Sequence, residues 1–323
     1  MIDYKNFDLK KEVEKIKNTQ YSCIDFFNWY GYKKIICELY DLKPSKYLGA
    51  RVFHSIFLSE YELYLKQSIE AKIPVLCNRL SQVDYLIKRG RNSKNTFATG
   101  GLFPLYRRLK NITKNENAKG TISFPVHVSR HCDITTSYEK YIEKIKNLPE
   151  QFQPVDVCLH WRDIENGIQE VFLKNGINVY TAGHCNDPDF CDNFYEILKH
   201  YKYATCNYIM STSLLYAMEM GIDVFIYGDE ETERKNASGE IYGMTDEELE
   251  EYNRAHIDIY NKLFPRYPDT EIKEEVLPEL TYIMGLDKQS PKKAVRNALL
   301  KQKIKNYIKM KTYPFISKYF GEK

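Results

Sequence analysis

Asn207-Tyr208-Ile209-Met210-Ser211-Thr212-Ser213-Leu214-Leu215-Tyr216-Ala217-Met218-Glu219-Met220-Gly221-Ile222-Asp223-Val224 is the stretch on which the fold turns. Ala204–Ile209 is apolar and short enough for a buried strand. Small hydroxyl residues follow, Leu214–Met220 reads as a helix, Gly221 stops it, and Ile222–Tyr227 reads as the next strand. A strand that runs through hydroxyl residues into a helix makes an anion site. The first-turn amides point outward, the helix dipole favours negative charge, and Ser211, Thr212 and Ser213 add donors. The competing account is ordinary capping, which Ser and Thr perform at helices generally. One cap needs one such residue, and here three stand in a row.

Working outward, the same rhythm recurs. Thr121–Val126, Val155–His160 and Ile177–Ala182 read as strands. Ser137–Asn147, Ile164–Asn175 and Asp189–His200 read as helices, with Gly176 stopping the second and Gly183 closing the strand Ile177–Ala182. Strands alternating with helices at short spacing predict a parallel, doubly wound α/β sheet. Ligands of such sheets lie at the carboxyl ends of the strands. That rule selects Val126–Asp133, His160–Asp163, Gly183–Asp189, Met210–Ser213 and Gly228–Glu231.

The first third is less regular. Residues 4–17 read as a charged helix, Tyr47–Ile56 as a short strand running into a turn and Ser59–Ala71 as a helix. Lys72–Asn78 reads as a strand, Gln82–Arg89 as a helix capped by Ser81, and Thr96–Thr99 as a strand. Gly100–Tyr106 is either a loop approaching a ligand closely or an ordinary turn. Polar Lys110–Gly120 reads as a linker. Beyond Asp229 the acidic runs predict a solvated helical insertion, and Ala294–Met310 predicts a last amphipathic helix.

A chain of 323 residues predicts two domains. With 47 basic and 44 acidic residues the net charge of +3 argues against a dedicated nucleic-acid binder. The charge is uneven, however. From Pro291 onward the bases are Lys292, Lys293, Arg296, Lys301, Lys303, Lys305, Lys309, Lys311, Lys318 and Lys323, against Glu322 alone. Such a segment is either a solvated helix face or a contact for anionic lipid. No apolar run is long enough to span a bilayer, and Met1–Lys17 does not read as a signal peptide. Eight scattered Cys without a C-x-x-C pair read as free thiols in a reducing cytoplasm. The expected location is cytoplasmic, at or near the inner face of the membrane.

Four further elements carry candidate chemistry. In Phe124–His131, Arg130 suits a diphosphate or sugar carboxylate bidentately, and His127 or His131 suits proton transfer or donation to a leaving phosphate. A metal held by His127 and His131 would need a third ligand. In His160-Trp161-Arg162-Asp163, Trp161 suits stacking on a ring and Arg162 suits a phosphate or a pairing with Asp163. In Ala182–Phe190, Gly183 permits close approach and His184 follows it, while Asp187 and Asp189 are capping candidates. In the first domain, His54, Glu60 and Glu62 follow an expected strand, and His54 alone could equally be packed under a loop. P-loop, G-x-S-x-G, H-E-x-x-H and strand-linked G-x-G-x-x-G patterns are missing.

The strand, Ser/Thr turn, helix, Gly and apolar strand of Asn207–Val224 resemble the donor-binding turn of GT-B glycosyltransferases, including the CMP-phosphate turn of bacterial GT-B sialyltransferases. Two departures stand out from the Glu-Ala-Met-Ala-Cys-Gly-Ile-Pro-Val type of retaining enzymes. Tyr216 replaces the ribose-binding Glu, and Asp223 replaces Pro. His184 resembles the His of the sialyltransferase His-Pro motif, although no Pro follows it. The resemblance implies two Rossmann-like domains facing a cleft: residues 1–115 on the acceptor side, 120–290 binding the nucleotide sugar, and a basic C-terminal helix at 291–323. It implies an inverting, metal-independent transfer from a CMP-, UDP- or GDP-sugar to a capsule or lipopolysaccharide glycan or a lipid-linked acceptor, without a cofactor. His54 and His127 would be catalytic. Arg130, His131, Arg162, His184, Ser211, Thr212 and Ser213 would hold the nucleotide and phosphate. A sugar-nucleotide epimerase or polyol-phosphate transferase of the same fold, and a non-catalytic nucleotide-binding protein, remain open.

Overall fold

The computed structural model describes residues 4–19, 27–53, 56, 58, 65–127, 132–236 and 245–320. The chain begins with helices α1 (Leu9–Asn18) and α2 (Tyr32–Leu39). A small α/β unit follows: β1 (Arg51–Val52), α3 (Leu65–Glu70), β2 (Val75–Cys77), α4 (Leu80–Lys88), β3 (Thr96–Ala98) and α5 (Leu102–Leu109). Its strands pair in parallel in the order β1-β2-β3. β2 and β3 are buried at every position, as parallel strands covered on both faces must be. Ser81 does not start α4. Instead Gln82 Oε1 accepts the Asn78 and Arg79 amides at 3.0 and 3.3 Å, one turn earlier. From Leu102 the segment after Gly100-Gly101 is helical, so it is neither of the loops expected there.

The second unit comprises β4 (Thr121–Ser123), β5 (Cys132–Thr136), α6 (Tyr138–Lys146), β6 (Val155–Cys158), α7 (Trp161–Glu165), α8 (Gln169–Lys174) and β7 (Val179–Tyr180). It continues with α9 (Phe190–Leu198), β8 (Tyr203–Cys206), α10 (Thr212–Glu219) and β9 (Asp223–Ile226). Five strands form a parallel sheet in the order β7-β6-β4-β8-β9. The chain winds from β4 outward through β6 to β7, then returns to lay β8 and β9 on the other side of β4. After β9 come β10 (Thr232–Asn236), α11 (Asp246–Leu263), α12 (Leu277–Ile283) and α13 (Lys292–Phe320). The α/β architecture, with its two parallel sheets and terminal helix, is the one expected.

Three further expectations change in detail. The helix expected at Ile164–Asn175 is two helices, because Gly167 between them adopts φ +78°. The acidic insertion expected after Asp229 is not helical throughout: Thr232–Asn236 pairs antiparallel with Cys132–Thr136. That pairing joins segments almost a hundred residues apart, so no local periodicity announces it. The last helix is longer than expected, running from Lys292 to Phe320.

Packing crosses the sequence order twice. The N-terminal segment lies on the second unit: the Tyr4 ring stacks on His200 with centroids 3.8 Å apart, and Lys15 Nζ reaches Asp187 at 2.6 Å. The C-terminal segment returns to the first unit. The Gly101 amide donates to Met284 O at 2.7 Å and the Ser290 amide to Ala98 O at 2.8 Å. Gly285 adopts φ +62°, and a Cβ there would overlap the Asn78 carbonyl oxygen. Between the units, Arg107 holds Glu219 bidentately at 2.8 and 2.9 Å, so α5 grips the end of α10. One apolar core runs through both, from Ile36, Leu76 and Phe103 to Ile122, Leu214, Met284 and Leu299.

A second latch binds α2 to α9. Lys34 Nζ lies 2.7 Å from both Asp189 Oδ1 and Asp192 Oδ2, and Tyr106 OH donates to Asp192 Oδ1 at 3.0 Å. The hydrogen bond from Lys34 holds the Asp189 carboxyl below the usual range. Partial burial by itself would lower the Lys34 ammonium, but the bonds to Asp189 and Asp192 raise it. The depressed carboxylate contributes stability above the ordinary Asp range and loses it as pH falls through the folded-state value. The raised ammonium contributes below the ordinary Lys value and loses it only at strongly alkaline pH. Lys34→Met should therefore flatten the acid limb of the pH–stability profile below about pH 4 and cost about 2 kcal/mol near neutrality, as read by denaturant melts. Gly285→Ala should cost about 2 kcal/mol or more, because the left-handed backbone and the Asn78 contact are both strained by a methyl group. An unchanged melting temperature in that variant would show that the C-terminal segment does not hold the first unit together.

Candidate functional site

The strand order decides where a ligand can sit. β4 and β8 are neighbours whose outgoing connections leave in opposite directions, so a crevice opens beyond their carboxyl ends. A cavity of about 340 Å³ occupies that crevice, within the range that holds small molecules. Phe124–His127 line it after β4, Leu159 and His160 after β6, and Tyr208 and Met210–Ser213 after β8. Tyr30, Phe103, Phe190 and Tyr216 close the remaining walls.

Asn207 fixes this geometry. Its side chain is fully buried, with Oδ1 accepting the Val126 amide at 2.7 Å. Its Nδ2 donates to Thr136 Oγ1 at 3.2 Å and Thr232 Oγ1 at 3.1 Å. One amide thus ties the exits of β4 and β8 to the β5–β10 ribbon. Because Asn207 is buried, losing these bonds would leave several polar groups unsatisfied, each at a cost of about 1–3 kcal/mol.

At the start of α10, Ser211 occupies the cap position but makes no side-chain capping bond. Its side chain instead lies beside the Cys206 thiol, which burial pushes up to about 12. Ordinary capping therefore does not account for Ser211. The residue, with Thr212 and Ser213, opens into the cavity at the positive end of the α10 dipole.

Across from it, the His127 and His160 rings stack with centroids 3.8 Å apart and planes 15° apart. His160 caps α7, its Nδ1 accepting the Arg162 amide at 3.4 Å. In the neutral ring the proton then sits on Nε2, which faces Tyr30 Oη at 3.5 Å. Tyr30 itself adopts φ +52°, a left-handed conformation uncommon for an aromatic residue. Its amide donates to Cys185 O at 2.5 Å and its ring meets Phe190 edge-on at 4.7 Å. Backbone strain of this kind persists where surrounding contacts over-determine it, and it collects at ligand sites.

The structure brings together four of the expected residues: His127, Ser211, Thr212 and Ser213. Arg162 and His184 are not part of the lining. The Arg162 guanidinium lies over the Trp161 ring at 4.6 Å. His184 is buried behind Trp161 with ring centroids 4.4 Å apart, its Nδ1 accepting the Asn186 amide at 3.0 Å. Burial pushes its pKa down. Trp161 is itself core and presents no stacking face to the cavity. His54, Glu60, Glu62, Arg130 and His131 lie outside the described residues. Asp187 and Asp189 are engaged by Lys15 and Lys34, and Asp189 does not cap α9 through its side chain. Among the described residues no three metal-ligating side chains converge.

His160 and Tyr30 were not singled out by the sequence. His160 stands at a strand end, a position that marks it, but Trp161 and Arg162 beside it drew the functional reading. Tyr30 sits in Trp29-Tyr30-Gly31-Tyr32, where only the aromatic run before a Gly hints at a special turn.

No protein-family model matches the chain, and no curated protein sequence matches it. Among solved structures the chain is similar to Anabaena Alr3699/HepE in complex with UDP-glucose, at 11% identity and a TM-score of 0.28, over 81% of this chain and 72% of that one. The same protein with UDP and glucose gives 13% and 0.28, over 81% and 71%. A Listeria monocytogenes protein, proposed to be a UDP-N-acetylglucosamine 2-epimerase, gives 11% and 0.28, over 74% and 59%. At such identities and scores these likenesses bear no weight for the site, which stands on the chain's own strand order and side chains.

Proposed function

We propose that the chain is a nucleotide-sugar-dependent glycosyltransferase that binds the donor phosphate at the start of α10. One observation carries this reading. A helix whose Ser211 does not cap it opens, through three consecutive hydroxyl residues, into a cavity at the switch point of a parallel sheet. Amides, hydroxyls and dipole there favour an anion. The aromatic walls suit the flat faces of a base and the apolar faces of a sugar.

In transfer from a CMP-, UDP- or GDP-sugar, negative charge grows on the departing phosphate. Donors already in place at α10, with His127 and the Nε2–H of His160 nearby, would stabilise it without reorganisation. Two features support the finer reading. Tyr216, stacked on Phe103 with centroids 5.0 Å apart, puts no carboxylate where retaining enzymes of this kind use one, which favours inversion. Asp187-Pro188-Asp189 has the spacing of a metal-binding pair, but Lys15 and Lys34 hold both carboxylates, which favours a metal-independent reaction. His54, following β1, is proposed as the acceptor's base, and Arg130 and His131, following His127 in sequence, as further phosphate ligands. The proposed acceptor is a surface glycan of the capsule or lipopolysaccharide kind.

A thermal-shift panel of CMP, UDP, GDP and their sugars should raise the melting temperature by several degrees for at least one nucleotide at saturating concentration. No shift with any nucleotide would sink the proposal. Ser211→Ala with Ser213→Ala should weaken binding of that nucleotide about tenfold or more with the fold retained, as read by calorimetry. Incubation with donor alone should leave the sugar unchanged, and an isomerised sugar would replace transfer by epimerisation.

A further inference from the structure

Helix α13 has two faces with opposite fates. Val295, Leu299 and Gln302 are buried, and Asn306 Nδ2 donates to Tyr47 O at 2.9 Å. That spacing is one helical stripe, and it docks the first half of α13 on the first unit. Lys292 adds an ion pair to Asp41 at 2.8 Å. The opposite stripe is apolar and faces water. Ile304 is 59% and Ile308 54% exposed, about 180° around the helix from Val295 and Leu299. Tyr307 lies to the side of that stripe, its ring edge-on to Tyr47 at 5.2 Å, and every residue from Tyr307 to Thr312 is exposed.

Lys301, Lys303, Lys305, Lys309 and Lys311 interleave with these side chains, and no acid stands between Asp287 and Glu322. A soluble surface gains nothing from exposing two Ile one turn apart on one stripe, and such positions mark interaction sites. The charge identifies the occupant. A second copy of α13 would bring lysines against lysines with no acid to pair them, which opposes self-association. An anionic surface satisfies both halves of the pattern, with apolar side chains entering the headgroup boundary and lysines meeting phosphates. Among the described residues no helix is long and apolar enough to cross a membrane, so the contact would lie in the plane of the surface.

We propose that α13 docks the protein on anionic lipid, with Ile304 and Ile308 as the inserted stripe. The proposal goes beyond the cavity and does not depend on what fills it. Flotation of the full chain with phosphatidylcholine vesicles, with and without phosphatidylglycerol, tests it. Binding should require phosphatidylglycerol and weaken as salt is raised. Ile304→Glu with Ile308→Glu should lower vesicle affinity about tenfold or more, and Lys305→Gln with Lys309→Gln should do likewise. Both pairs are exposed, so melting temperatures should be unchanged, which separates a lipid contact from a folding defect. Equal binding to neutral vesicles, no binding to anionic ones, or an unaffected double variant would each overturn the proposal. So would a concentration-dependent dimer that the Glu variant abolishes, since the face would then serve a second copy.

Discussion

The reversal of winding between β4 and β8 is the constraint on which the rest of the molecule depends. Two adjacent parallel strands send their connections to opposite sides, and no helix can cover the gap beyond their ends. The strand-end residues that line the cavity are there because of that gap. β4 delivers His127, β6 delivers His160, and β8 delivers Asn207 and the hydroxyl turn before α10. Asn207 converts the topological gap into a fixed geometry by bonding both exits and the ribbon at once.

The supports behind this site are electrostatic and asymmetric. Arg107 on Glu219 and Lys34 on Asp189 and Asp192 hold α5, α9 and α10 around the cavity. These ion pairs stand outside the cavity, whose walls are aromatic and hydroxyl-bearing side chains with His127 and His160.

How much of this was legible in the sequence follows from the range of each interaction. The second sheet could be read strand by strand, since each parallel strand is a short apolar run bounded by Gly or polar residues. The Ser211–Ser213 turn was legible for the same reason. Strand order was not, because winding direction leaves no local mark. The β5–β10 ribbon was invisible, since Thr136 and Thr232 meet only in space. Arg162 and His184 show the limit of reading function from a strand end: neighbouring residues on one loop face different ways, and both pack on Trp161 rather than on the cavity. Tyr30 was missed because its left-handed backbone depends on Cys185, far along the chain.

The central claim is that an anion belongs at the start of α10. A crystal structure of the protein soaked with CMP, UDP or GDP tests it most directly. Phosphate oxygens should lie within hydrogen-bond distance, about 3 Å, of the Ser211–Ser213 hydroxyls or amides, with the base among the aromatic walls. A nucleotide bound elsewhere, or with its phosphate turned away from α10, would contradict it.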